Sequence, residues 1–201
     1  MRLAGKKIGI LIEGDFFENE IFYYDFRFAE EGADVHFMSR LWGNQSITFQ
    51  GHEFRAPFNC HESFENISDA ELATFDAIIV PSGMVSDRLR YTDDLSKLPP
   101  ATTFLKRAFA NKNILKGIIC HGLWLTAPAP ELVRGRRLVC HNNLHGDAIA
   151  YGATYVNQDV VVDDDLVTGR TGKHCHLFAK QIIEMLANET LATSRVPELV
   201  A

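Results

Sequence analysis

Three short apolar runs limit what this chain can fold into: Ile8–Ile12, Phe75–Val80, interrupted only by Asp76, and Leu115–Ile119, interrupted only by Lys116. Each is rich in β-branched residues and lacks the polar alternation of a strand with one wet face, so each reads as a strand covered on both sides. Helical spacing lies between them. Ile21, Tyr24, Asp25, Phe28 and Ala29 recur on one face of 20–31, and Gly32 stands where a helix stop belongs. Ala33–Met38 then reads as a second strand, closing a right-handed β-α-β unit. Residues 101–111 form an amphipathic helix through Phe104, Leu105, Ala108 and Phe109. Val160–Thr168 reads as a hairpin with an acidic turn, and His176–Ala187 as a closing helix. The alternation predicts a single-domain three-layer α/β/α sandwich with a mostly parallel sheet over residues 1–188, followed by a C-terminal tail, 189–201, broken by Pro197. Residues 39–68 are polar and aromatic without a helical period, and Ser46–Phe49 suits a short antiparallel excursion.

Composition excludes several classes of function. A net charge of -6 over 201 residues, with no cluster of Lys or Arg, leaves no electrostatic footprint for nucleic acid. No stretch approaches the length of a membrane span, and the N-terminus enters directly into a strand, so the expected location is cytoplasmic with no membrane partner. The four cysteines, Cys60, Cys120, Cys140 and Cys175, lack paired spacing and read as free thiols in a reducing compartment.

Cys120 stands out among them. It falls where the run Leu115–Ile119 gives way to His121 and Gly122, with Gly117 and Gly122 offering room for a sharp strand-to-helix turn. A thiol there resembles a nucleophile elbow, exposed at the sheet edge beside free amides and a helix dipole that favour a thiolate and an oxyanion. His121 is the candidate base, and Glu20 and Asp87 are candidate acids to support it. Glu20 could equally be a first-turn acid favoured by the macrodipole, and Asp87 one half of a surface pair with Arg88 or Arg90. A second cluster, His174-Cys175-His176 with His141 and His145, does not match zinc spacing, so no metal and no cofactor are expected.

The early Glu20, the Val80-Pro-Ser-Gly83 loop, the elbow Ile118-Ile-Cys-His-Gly122 and the run Leu132-Val-Arg-Gly-Arg136 together resemble the ThiJ/PfpI family of the class I glutamine-amidotransferase-like superfamily, over roughly residues 6 to 187. The resemblance implies a flavodoxin-like fold. It implies a cysteine nucleophile at Cys120, a hydrogen bond to it from Glu20, His121 as its companion, and an oxyanion hole from the amides of Gly83 and His121. In the protease-like branch an acid from a neighbouring subunit completes the site; counting places Asp87 there, and implies a homodimer or higher homo-oligomer. Ser82 replaces one glycine of the usual pair, and Leu123-Trp124 depart from the usual residues after the elbow. The implied activity is hydrolysis or carbonyl processing of a peptide or small carbonyl compound, of peptidase/amidase, deglycase or glyoxalase type. The alternative is an oxidative-stress redox sensor or chaperone-like protein using the same thiol.

Overall fold

The computed structural model describes residues 1–193, with side chains through 188. The first half of the chain contributes β1 (Lys7–Leu11), α1 (Glu18–Glu30), β2 (Asp34–Ser39), β3 (Ile47–Gln50), β4 (Pro57–Cys60), β5 (Glu62–Ser63), α2 (Asp69–Leu72), β6 (Ala77–Val80) and α3 (Val85–Leu89). There follow α4 (Pro100–Ala110), β7 (Leu115–Ile119), a 3-10 turn run Cys120–Thr126, β8 (Arg137–Leu138), α5 (His145–Ala150), β9 (Thr154–Tyr155), β10 (Val160–Asp163), β11 (Leu166–Gly169) and α6 (Cys175–Thr193).

Seven strands form one sheet in the order β10-β11-β7-β6-β1-β2-β5, parallel throughout except where β10 returns antiparallel beside β11. The three apolar runs are its centre. Every residue of β6 and β7 is buried, as two-sided coverage requires. Helices α1 and α6 cover one face, where the rings of Tyr24 and Phe178 lie 6.1 Å apart. On the other face α4 holds the 120–126 run through Thr102 Oγ1, which donates to Leu125 O at 3.0 Å. The sandwich is therefore the expected one, in a single domain.

Differences of detail have physical reasons. Gly117 does not serve the elbow: a Cβ there would lie 2.8 Å from Phe178 and 3.1 Å from Ile182, so its bareness lets α6 seat on β7. The segment after Cys120 is a 3-10 run rather than an α-helix, ended near Pro128 and Pro130 as their missing N–H groups require. The antiparallel excursion is the β3–β4 hairpin. Helix α6 runs to Thr193, five residues into the expected tail, and Pro197 lies outside the described residues.

The chain leaves β1 to build β2 on one side and later β6 on the other, so the strand order reverses beside β1. Ligand crevices of open α/β sheets form at the carboxyl ends of strands around such a point. The loops after β1, β6, β7 and β11 meet there.

Candidate active site

The loop after β7 begins with Cys120 at φ +61, a left-handed conformation that costs a non-glycine residue free energy and persists only where its surroundings impose it. Gly122 explains how. A Cβ at that position would stand 2.7 Å from Val80 O and 3.1 Å from Pro81 O, so only glycine lets the turn fold back against the end of β6. Ser86, on α3, donates its hydroxyl to His121 O at 2.5 Å and ties the turn down from the other side. The result is the sharp turn expected from the sequence, with backbone strain at Cys120 added to it.

Cys120 Sγ lies 3.3 Å from His121 Nδ1, so these adjacent residues do face each other. The His121 ring is fixed edge-on to Trp124, with centroids 5.0 Å apart, and against His141 at 4.6 Å. Burial and the neighbouring His141 both lower its pKa, which keeps it a neutral base near pH 7. The thiol itself differs from the low-pKa thiolate expected. Burial pushes it up to about 11, the amides of Gly172, His121 and Gly83 pull it down, and the charge of Glu20 pushes it further up. The resting group is a thiol.

Glu20, in the first turn of α1, is fully buried, and its Oε2 accepts the Ser82 hydroxyl and the Ser82 N–H, the latter at 3.0 Å. Its Oε1 has no hydrogen-bond partner among the described residues, so the direct bond to the cysteine implied by the family resemblance is not formed in this arrangement. Burial outweighs the pull of Ser82 and of the nearby Tyr24 hydroxyl and raises the carboxyl to about 7. Ser82 adds a hydroxyl to the backbone N–H that a glycine would also offer, and both bind the same carboxylate oxygen.

Gly83 (φ +77) approaches the loop after β1 so closely that a Cβ would meet Asp15 O at 2.7 Å, and this approach turns its N–H toward the sulfur. Gly172, from the loop after β11, supplies a third such amide that the sequence reading did not single out. Its own Cβ would fall 2.5 Å from Ser82 Oγ and from the Phe17 ring. Around these groups opens a cleft of about 490 Å³, lined among others by Phe17, Met84, His141, Thr171 and Lys173.

The aromatic 39–68 segment gains a role here. His52 and Glu53, in the turn between β3 and β4, line the same cleft. Buried Glu18 accepts the N–H groups of Glu53 at 2.9 Å and Phe54 at 2.8 Å and pins that turn against α1. Asp87 is not brought in. It lies on α3, half exposed, paired with Arg90 at 3.0 Å, and is absent from the cleft lining of its own chain. The His174-Cys175-His176 cluster also disperses: His174 pairs with Thr171 and Asp159, and His145 stacks edge-on to Tyr155, while His141 alone joins the elbow.

The model of the DJ-1/PfpI family matches residues 6–185, nearly the whole chain. The chain belongs to the DJ-1/PfpI family. Among DJ-1/PfpI relatives, it is 31% identical over 182 residues to protein/nucleic acid deglycase 2 of Escherichia coli, covering 90% of this chain and 98% of the relative. It is 28% identical over 184 residues to general stress protein 18 of Bacillus subtilis, again covering 90% and 98%. The fold matches a solved two-domain protein from Anabaena variabilis containing DJ-1/ThiJ/PfpI-like and ferritin-like domains, with a TM-score of 0.78 and 24% identity over 90% of this chain and 48% of that one. It also matches a ThiJ/PfpI domain protein from Brachyspira murdochii, with a TM-score of 0.75 and 19% identity over 92% and 98%. No helix among the described residues is long and apolar enough to cross a membrane.

Proposed function

We propose that the protein is a cysteine-dependent enzyme that adds Cys120 to the carbonyl carbon of a small aldehyde, ketone or amide, with deglycase or glyoxalase-like chemistry the best-supported form. One observation carries the reading: a strained cysteine has His121 Nδ1 at 3.3 Å and the amides of Gly83, His121 and Gly172 directed at its sulfur. In the proposed step the Cys120 proton passes to His121 as the sulfur–carbon bond forms. The carbonyl electron pair moves to oxygen, where the amides of Gly83 and His121 receive it. In an α-dicarbonyl the carbon-bound proton of the thiohemiacetal then shifts to the neighbouring carbonyl carbon, giving a 2-hydroxy thioester with no external oxidant; in an amide the intermediate expels the amine, which takes the proton from His121. Water then hydrolyses the thioester to the acid and restores the thiol. A thiol raised to about 11 needs such a base at the moment of attack, which makes His121 the primary acceptor. Glu20, with one free oxygen and a pKa near 7, is the secondary site for that proton.

The likeness to protein/nucleic acid deglycase 2 favours glycated adducts over unmodified peptide bonds, and a cleft of about 490 Å³ has room for the sugar-derived carbonyl part. The test is methylglyoxal loss and peptide hydrolysis measured side by side on the full chain and its Cys120→Ala variant. Activity retained by the variant in both assays removes Cys120 as nucleophile. The redox-sensor alternative is weaker, because a standing thiolate must attack peroxide and burial disfavours it, whereas carbonyl addition can pass the thiol proton to His121 in the same step. It predicts two oxygens added stably at Cys120, by intact mass, with no turnover of any carbonyl.

Asp87 takes part, on this reading, only across the interface of a homodimer or larger assembly in the cytoplasm. It is half exposed on α3, where a neighbouring copy could compete with Arg90 for it. Analytical ultracentrifugation decides that point, and a strict monomer leaves Glu20 as the supporting acid.

A further inference from the structure

We propose that Cys120, His121 and His141 form a three-ligand site for a thiophilic divalent cation of the zinc type, which caps the nucleophile reversibly. One ligand atom from each of the three residues lies within 4.8 Å of the other two. The Sγ to Nδ1 separation of 3.3 Å is close to the edge of a tetrahedral zinc site, about 3.6 Å from Zn–S and Zn–N bonds of about 2.3 and 2.05 Å.

The ligands are held in place before any ion arrives. Trp124 and Ser86 fix His121, and His141 N donates to Cys120 O at 3.4 Å, which ties the third ligand to the elbow itself. His141 Nδ1 accepts the exposed N–H of Asn143 at 3.2 Å, which helps to fix the ring. All three residues line the cleft, so the fourth position faces solvent or substrate. One thiolate and two imidazoles are ligands that zinc prefers, and an open fourth position is the pattern of reactive rather than structural sites. Buried Glu20, whose charge opposes a bare thiolate, favours a cation beside it. Binding forms a sulfur–metal bond and releases the thiol proton to water, with both rings bound neutral and no change of oxidation state.

The binding itself stands on the geometry; the loss of turnover that follows from it rests on the proposed nucleophile. The test therefore reads binding directly. Titration of the metal-stripped full chain with zinc is expected to give one ion per chain, and titration with cobalt a near-ultraviolet thiolate-to-metal band. Cys120→Ala abolishes the band, whereas Cys140→Ala keeps it. His121→Ala and His141→Ala each weaken zinc by about tenfold or more, the lower end of what disturbing even a ligand's outer partner costs. Saturating zinc also slows alkylation of Cys120 by iodoacetamide in the unaltered chain, mapped by mass spectrometry, a readout that needs no variant to fold. A band that survives Cys120→Ala, zinc affinity unchanged in both histidine variants, or an alkylation rate indifferent to zinc overturns the site. Zinc binding as described without carbonyl turnover would instead sink the proposed function and leave the site standing.

Discussion

The two ends of strand β7 both bury charge, and they treat it in opposite ways. At the amino end Lys116, fully buried, donates to Asp165 at 2.5 Å, while Arg136 reaches the other Asp165 oxygen at 2.9 Å and Lys112 approaches at 3.4 Å. Burial alone would raise Asp165, but Lys116 and Arg136 outweigh it and hold the carboxyl below its ordinary range. At the carboxyl end Glu20 faces no cation, keeps one oxygen unpartnered, and is raised to about 7. A paired buried carboxylate is part of the frame, whereas an unpaired one is a group kept able to exchange a proton. On the proposed function, stability and chemistry lie at opposite ends of one strand.

The largest effect is expected at the elbow. Cys120→Ala is expected to lower carbonyl turnover by about three orders of magnitude or more while leaving the denaturation midpoint nearly unchanged. A large loss of stability with turnover retained would reverse the assignment of the two ends. Asp165→Ala is expected to do the converse, costing about 3–5 kcal/mol in chemical denaturation because Lys116 is left buried without its counter-charge.

Acid and base sharpen the contrast, because the two carboxylates are shifted in opposite directions. Glu20 has its folded pKa raised, so its contribution is fully present below about 4.5 and is lost as pH rises through about 7. Asp165 has its folded pKa lowered, so its contribution is present above about 3.8 and is lost as pH falls below that value. Glu20→Gln should therefore flatten the decline in stability between about pH 4.5 and 7 and make the protein more stable at pH 8, as followed by thermal melts across that range. Unaltered pH dependence in the variant would mean that Glu20 is not the titrating group. The smallest expected effect is that of Ser86→Ala. Loss of the bond to His121 O costs about 1 kcal/mol and lowers turnover a few-fold, seen as a change in kcat larger than that in KM.

Much of the frame was legible because local pattern and burial agree there. Ile8–Ile12 and Leu115–Ile119 can be dry on both faces only inside a parallel sheet, and Gly32, at φ +90, ends α1 where a residue with a Cβ would be strained. The elbow was legible for the same reason, since a cysteine directly after such a run sits at a strand end. What escaped were the relations between distant segments that neither local pattern nor family resemblance names. Gly172 reaches a cysteine fifty-two positions earlier, and Ser82 bonds a glutamate sixty-two positions earlier, with no shared period or motif to announce either. Gly117 looked like part of the turn because it is near it in sequence, but its bare face is turned to α6.

By itself the sequence determined the order of strands and helices, the strand end that carries Cys120, and the histidine that accompanies it, because these follow from hydrophobic period and chain adjacency. Only the tertiary structure decided the protonation of that cysteine. Burial, the charge of Glu20 and three amides from three separate loops meet at one sulfur, and the balance among them depends on distances across the sheet rather than on positions along the chain.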